Sequence, residues 1–204
     1  MTAVKLCGMQ SRRDILMANG LCPQYVGFVF APRSRRYVMV HEAEEMKLLL
    51  RPRVRTVGVF VDEDPEVIIH LLSRGVIDVV QLHGKEDDQT VLYLKRRTGR
   101  TIFQAFRIET EADVRMARGS HADMVLLDAG AGNGKVFDWS LLDHMDRPYF
   151  LAGGLTPENV GSAIRRLHPY GVDVSSGIER YGVKDPGRMT AFMTAVRAED
   201  ANMR

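Results

Sequence analysis

Short apolar runs alternate with amphipathic stretches along the whole chain. The runs fall at 4–6, 25–30, 55–60, 79–82, 102–106, 124–127, 149–151 and 172–174, each short enough for a strand. The stretches between them predict helices near 11–19, 41–50, 65–74, 86–98, 110–118, 138–145, 156–167 and 185–198. Asp64-Pro65-Glu66 and Thr156-Pro157-Glu158 each set a cap residue before a proline at the first helical position. Strict alternation of strand and helix implies parallel strands joined by right-handed crossovers. Eight such repeats predict an α/β fold, a closed (β/α)8 TIM barrel forming a single domain over 1–204, near the lower size limit of that architecture. An open doubly wound sheet is the alternative. Cys7-Gly8-Met9-Gln10, after the first strand, is not the glycine pattern of a dinucleotide site, which favours the barrel.

Composition narrows the function. A net charge of +2, with bases scattered among acids, points to neither nucleic acid nor a membrane surface. Two cysteines, Cys7 and Cys22, lack metal-ligand spacing and are too few for a disulfide framework, so a reducing compartment is expected. No apolar run approaches the roughly 18 residues of a membrane span, and the start does not read as a signal peptide, so a cytoplasmic protein is expected.

In a parallel barrel, ligands and catalytic groups gather at the carboxyl ends of the strands. Cys7 follows the first run and precedes Gly8, which puts a thiol at a strand tip. Such a thiol is open to four readings: nucleophile, base, metal ligand or inert packing. Asp128 follows Met124-Val125-Leu126-Leu127, where desolvation would raise a carboxyl pKa and suit a general acid; a loop cap is the competing role. Gln81 and His83 share one face of the fourth strand, as Lys5 and Cys7 share one face of the first. Lys5 reads as paired within the barrel, with a charge able to lower the thiol pKa. No strand tip carries a lysine for Schiff-base chemistry, and only His83 is placed as a metal ligand, so no metal is expected.

The last two strands carry a more specific signal. Gly153 and Gly154 precede Leu155-Thr156-Pro157, and Asp173-Val174 leads into Ser175, Ser176 and Gly177. Glycines let backbone N–H groups approach an anion, and the loops after strands seven and eight are the usual barrel phosphate site. Arg33, Arg35 and Arg36 follow strand two, where an arginine fork can take a carboxylate. The loop 128–135, rich in Gly and Ala, has the composition of a segment that closes over a ligand.

Taken in order, these pieces resemble the phosphoribosylanthranilate isomerase family of tryptophan biosynthesis. The resemblance runs through Lys5-Leu6-Cys7-Gly8, Gly27-Phe28-Val29-Phe30-Ala31-Pro32, Ser34-Arg35-Arg36-Tyr37 and Gly58-Val59-Phe60-Val61. It continues through Gln81-Leu82-His83-Gly84, Leu127-Asp128, Gly134-Lys135-Val136-Phe137-Asp138-Trp139, Gly153-Gly154-Leu155-Thr156-Pro157-Glu158-Asn159-Val160 and Asp173-Val174-Ser175-Ser176-Gly177-Ile178-Glu179. Single pieces are weak and the ordered set is specific. Met9-Gln10 departs from the Ile-Thr usual in that family, and the loop after Asp128 is short.

The resemblance implies a (β/α)8 barrel, no cofactor, and an Amadori rearrangement of a small phosphoribosyl substrate. It implies Cys7 as general base and Asp128 as general acid, and Arg36 on the anthranilate carboxylate. Gly153, Gly154, Ser175, Ser176 and Gly177 would hold the phosphate; Gln81, His83, Asp173 and Glu179 are further substrate-binding candidates. A monomer or a homodimer is expected. Two rivals stand beside this reading. The histidine-pathway isomerase runs similar chemistry with an aspartate where this chain has Cys7, and a non-catalytic phosphate-binding barrel would need neither Cys7 nor Asp128.

Overall fold

In the computed structural model, which describes residues 1–128, 139–143 and 145–202, eight parallel strands close into a barrel in sequence order. They are β1 (Ala3–Cys7), β2 (Tyr25–Val29), β3 (Arg55–Phe60), β4 (Val79–Leu82), β5 (Thr101–Arg107), β6 (Met124–Asp128), β7 (Tyr149–Ala152) and β8 (Gly171–Val174). Each predicted run lies within, or within one residue of, its strand. β1 pairs with both β2 and β8, which closes the sheet. The expected (β/α)8 architecture is therefore the observed one.

The helices are α1 (Arg12–Leu21), α2 (Val40–Leu49), α3 (Pro65–Ser73), α4 (Asp88–Thr98), α5 (Glu111–Gly119), α6 (Val160–Leu167) and α7 (Pro186–Asn202). Their starts follow from local chemistry. Asp64 Oδ1 accepts from Glu66 N ahead of Pro65, as the sequence predicts. Ser11 with Asp14, and Thr110 with Asp113, form reciprocal caps that satisfy otherwise orphaned N–H groups.

Two helix expectations change. The helix predicted at 156–167 begins only at Val160. Asn159 folds back instead, accepting from Thr156 N at 2.8 Å and donating to the Gly154 carbonyl at 2.9 Å, which ties 154–159 into a turn. Where a helix is predicted at 138–145, the described residues form a 3₁₀ turn, Trp139–Leu142. The predicted closing loop lies, beyond Asp128 itself, outside the described residues.

One element is absent from the sequence reading. Glu179–Arg180 (β9) and Val183–Lys184 (β10) form a small antiparallel hairpin after β8, turning through Tyr181 at φ 52° and Gly182 at φ 82°. Two-residue strands carry too little periodicity to be read from a pattern.

Two kinds of core result. Leu6, Phe28, Phe60, Leu82, Val125 and Leu151 face outward onto the helices. Phe103 and Phe150, with their centroids 5.4 Å apart, fill the barrel interior with Ala3, Val57, Val79 and Leu126. That packing closes the amino-terminal end, so the open end is the one bearing the strand tips.

Candidate active site

The carboxyl ends of the strands surround a cavity of about 520 Å³. Cys7, Arg36, Gln81, His83 and Asp128 line it, together with Gly153, Gly154, Asp173, Ser175 and Ser176. Residues from all eight strands or the loops after them line the cavity, although they span most of the sequence.

Cys7 closes β1 with its side chain inward, buried and in register with Gly27 of β2. A Cβ on Gly27 would sit 2.8 Å from Cys7 Sγ and 3.3 Å from Lys5 Nζ, so glycine makes room for both groups. Lys5 is fully buried, one interior position below the thiol, and donates to Asp173 Oδ1 at 2.9 Å. Burial works against the Lys5 ammonium, but Asp173 and then Cys7 outweigh it, so Lys5 keeps its proton. Burial pushes the Cys7 thiol up; Lys5 pulls it down and Asp173 pushes it up again, and the balance stays above the ordinary thiol value. Lys5 therefore opposes the rise in the thiol pKa without reversing it, a smaller effect than its sequence position suggests.

Asp128 closes β6, three strands from β1 around the barrel, beside Arg107 of β5. Its side chain keeps 30% of its exposure, because it rises past the apolar run into the cavity mouth. His83 Nε2 lies 3.8 Å from Asp128 Oδ2, and Gln81 Nε2 lies 3.3 Å from His83 Nδ1. A donating Gln81 amide leaves the imidazole proton on Nε2, facing the carboxylate. Gln81 Oε1 is buried and has no partner among the described residues.

The glycine and serine loops meet at one side of the cavity. Gly153 and Gly154 adopt φ of 86° and 63°, a region costly for other residues. Ser175 Oγ is buried against the cavity and has no hydrogen-bond partner among the described residues. Gly177 sits behind this wall rather than in it, because its Cα faces the Leu155 carbonyl; a Cβ there would come within 1.8 Å of that oxygen. Gly177 thus sets the spacing of the two loops.

Glu179 is not among the residues that line the cavity. Its buried carboxylate takes Arg36 Nε at 2.6 Å and Nη2 at 2.9 Å, Arg35 Nη2 at 2.9 Å and Lys184 Nζ at 2.8 Å. Burial would raise its carboxyl pKa, but Arg36 and Lys184 outweigh it and hold the carboxyl below the ordinary range.

The sequence reading assigned no role to three groups. Arg107 lines the cavity beside Asp128, and its strand-tip position was the available signal. Ser34 lines it too, and accepts from Arg36 N at 3.1 Å, shaping the arginine loop. Lys184 arrives on the unpredicted hairpin and had no signal at all.

This geometry has close relatives. A family profile described as PRAI, N-(5'phosphoribosyl)anthranilate (PRA) isomerase, matches residues 4–195. The N-(5'-phosphoribosyl)anthranilate isomerase of Lacticaseibacillus casei (strain BL23) is 39% identical, over 98% of this chain and 96% of its own. The crystal structure of phosphoribosyl anthranilate isomerase from Thermotoga maritima is 37% identical and superposes with a TM-score of 0.90, over 97% of this chain and 100% of its own. Monomers of that dimeric Thermotoga maritima enzyme match with the same identity and coverage at a TM-score of 0.87. An isomerase complexed with reduced 1-(o-carboxyphenylamino)-1-deoxyribulose 5-phosphate is 36% identical, with a TM-score of 0.88 and the same coverage. By matched length, identity and fold together, this chain belongs to the N-(5'-phosphoribosyl)anthranilate isomerase family.

Proposed function

We propose that this chain converts N-(5-phosphoribosyl)anthranilate into 1-(2-carboxyphenylamino)-1-deoxyribulose 5-phosphate, a step of L-tryptophan biosynthesis, with Asp128 as general acid and Cys7 as general base. One observation carries the assignment of roles: a thiol and a carboxyl from distant strands line the same cavity, between a glycine-serine nest and an arginine.

Asp128 gives its proton to the furanose ring oxygen as the C1–O bond breaks, and the nitrogen lone pair closes a C1=N⁺ iminium. The Cys7 thiolate then takes the C2 proton. That electron pair forms C1=C2 and neutralises the nitrogen, and the resulting enol ketonises as the C2 hydroxyl gives up its proton, C2=O forms and C1 takes a proton. His83 faces Asp128 and supports its orientation through the Gln81 contact. Gly153, Gly154, Ser175 and Ser176 hold the phosphate, with Gly177 spacing their loops, while Arg36 takes the anthranilate carboxylate. Asp173 acts below the thiol, through Lys5.

The same reading includes a single domain over 1–204 and a cytoplasmic protein, supported by the free thiols of Cys7 and Cys22. It includes a monomer or homodimer, supported by the dimeric relative. Among the described residues, no helix is long and apolar enough to cross a membrane. The near-balanced charge of +2 supports a small-molecule partner over nucleic acid.

The test follows consumption of the fluorescent anthranilate substrate. Cys7→Ala and Asp128→Ala are each expected to lower kcat by at least about 10²-fold, the usual size of one proton-transfer contribution, while the folded proteins still bind a product analogue. Turnover near wild type in both variants would overturn the mechanism. Inactive wild-type protein that binds the analogue would favour a binding barrel instead.

A further inference from the structure

We propose that Glu179 is a positioning residue for the reaction: it holds the Arg36 guanidinium by one edge, so that the other edge faces the substrate carboxylate. The proposal rests on the isomerase reading above and reassigns Glu179 from substrate contact to support.

The geometry is that of a clamp. A guanidinium has two edges suited to a carboxylate, one through Nε and Nη2 and one through both Nη groups. Glu179 occupies the first, at 2.6 and 2.9 Å. Arg36 also lines the cavity, which leaves the second edge as the one available to a ligand. The stem is fixed as well: a Cβ on Gly8 would fall 2.4 Å from Arg36 Cδ, so the arginine chain lies directly on that glycine backbone. Held at stem and fork, Arg36 gives up little rotamer freedom when a ligand arrives.

The clamp is tied to the phosphate side. Lys184, almost fully buried, donates from Nζ both to Glu179 Oε1 at 2.8 Å and to the Ser175 carbonyl at 3.0 Å. Ser175 is the residue whose buried hydroxyl has no partner among the described residues. Three cations, Arg35, Arg36 and Lys184, share the Glu179 carboxylate, and the cluster remains positive. A ligand anionic at both ends matches that surplus.

The experiment measures kcat and KM for the anthranilate substrate, and calorimetric Kd for two inert ligands: the reduced product analogue and the same compound without its ring carboxylate. Glu179→Gln is expected to weaken the carboxylate-bearing ligand about 10-fold or more, as for one lost charge-assisted contact, and to raise KM in step. It should leave the carboxylate-free ligand within about twofold and kcat within about threefold, far below the effect of losing an acid or base. Glu179→Asp, which keeps the buried charge but draws it back by one methylene, should show the same selectivity to a smaller degree and serves if the glutamine variant does not fold. Equal weakening of both ligands, or no weakening, in the variant that folds overturns the proposal. Inactive wild-type protein would instead defeat the isomerase reading, while the ratio of the two Kd values still reports on the clamp.

Discussion

At the scale of single residues, the proposed base is a buried thiol. Burial drives the Cys7 pKa above its ordinary value, and the protonated Lys5 opposes that rise. The proposed reaction needs an ionised thiol, and the population of that thiolate depends on Lys5. Lys5→Met removes the opposing charge and leaves Asp173 to push the thiol further up. At neutral pH kcat/KM should then fall about tenfold for each unit of added shift, and the limb set by the thiol should move to higher pH. A profile over roughly pH 6 to 11 checks this; an unmoved thiol limb would show that Lys5 does not govern the base. Residue type and strand position made Cys7, Asp128 and Lys5 legible in sequence. The balance between burial and charge was not legible, because it depends on Asp173, which lies 168 positions from Lys5 in the chain.

At the scale of elements, the strand ends are where local pattern and site meet. Ser176–Ile178 forms a 3₁₀ turn whose middle glycine lies against the loop after β7. Gly177→Ala would force the Leu155 carbonyl away, which should destabilise the protein by about 1–3 kcal/mol and weaken phosphate-ester binding. Denaturant unfolding and the Kd for inorganic phosphate test the two effects separately. A second elemental joint lies on the opposite face. Asp78, just before β4, accepts from Thr56 N of β3 at 2.8 Å and pairs with Lys47 of α2. Burial alone would raise its pKa, but Lys47 and Thr56 outweigh it and the net direction is downward. A depressed carboxyl pKa contributes stability above the unfolded value of about 3.9, and that contribution is lost as pH falls through the folded value. Asp78→Asn should therefore be less stable than wild type at neutral pH and lose this part of the acid sensitivity, measured as Tm against pH. Long elements with capped ends were readable from pattern. The β9–β10 hairpin was not, since two-residue strands form only because Glu179 and Lys184 find each other inside the fold.

At the scale of the whole molecule, closure of the barrel brings the two ends of the chain together. Thr2, just before β1, donates from N and Oγ1 to Asp200 Oδ1, both at 2.8 Å, which latches α7 onto the first strand. Asp200→Ala leaves a buried N–H unsatisfied and should cost about 1–3 kcal/mol, or a Tm drop of several degrees, with kcat near wild type. Thermal melts with a turnover assay would show it; a parallel loss of kcat would mean that the latch also shapes the site. Strand and helix order, the parallel barrel, the thiol and carboxyl at strand tips and the paired glycine loops were all legible along the chain. All of these rest on local periodicity and residue type. Which groups share the cavity wall, the place of Gly177 against the Leu155 carbonyl and the pairing of Glu179 with Arg36 became visible only in the folded chain. Those outcomes depend on distances between residues far apart in sequence, which exist only once the sheet has closed.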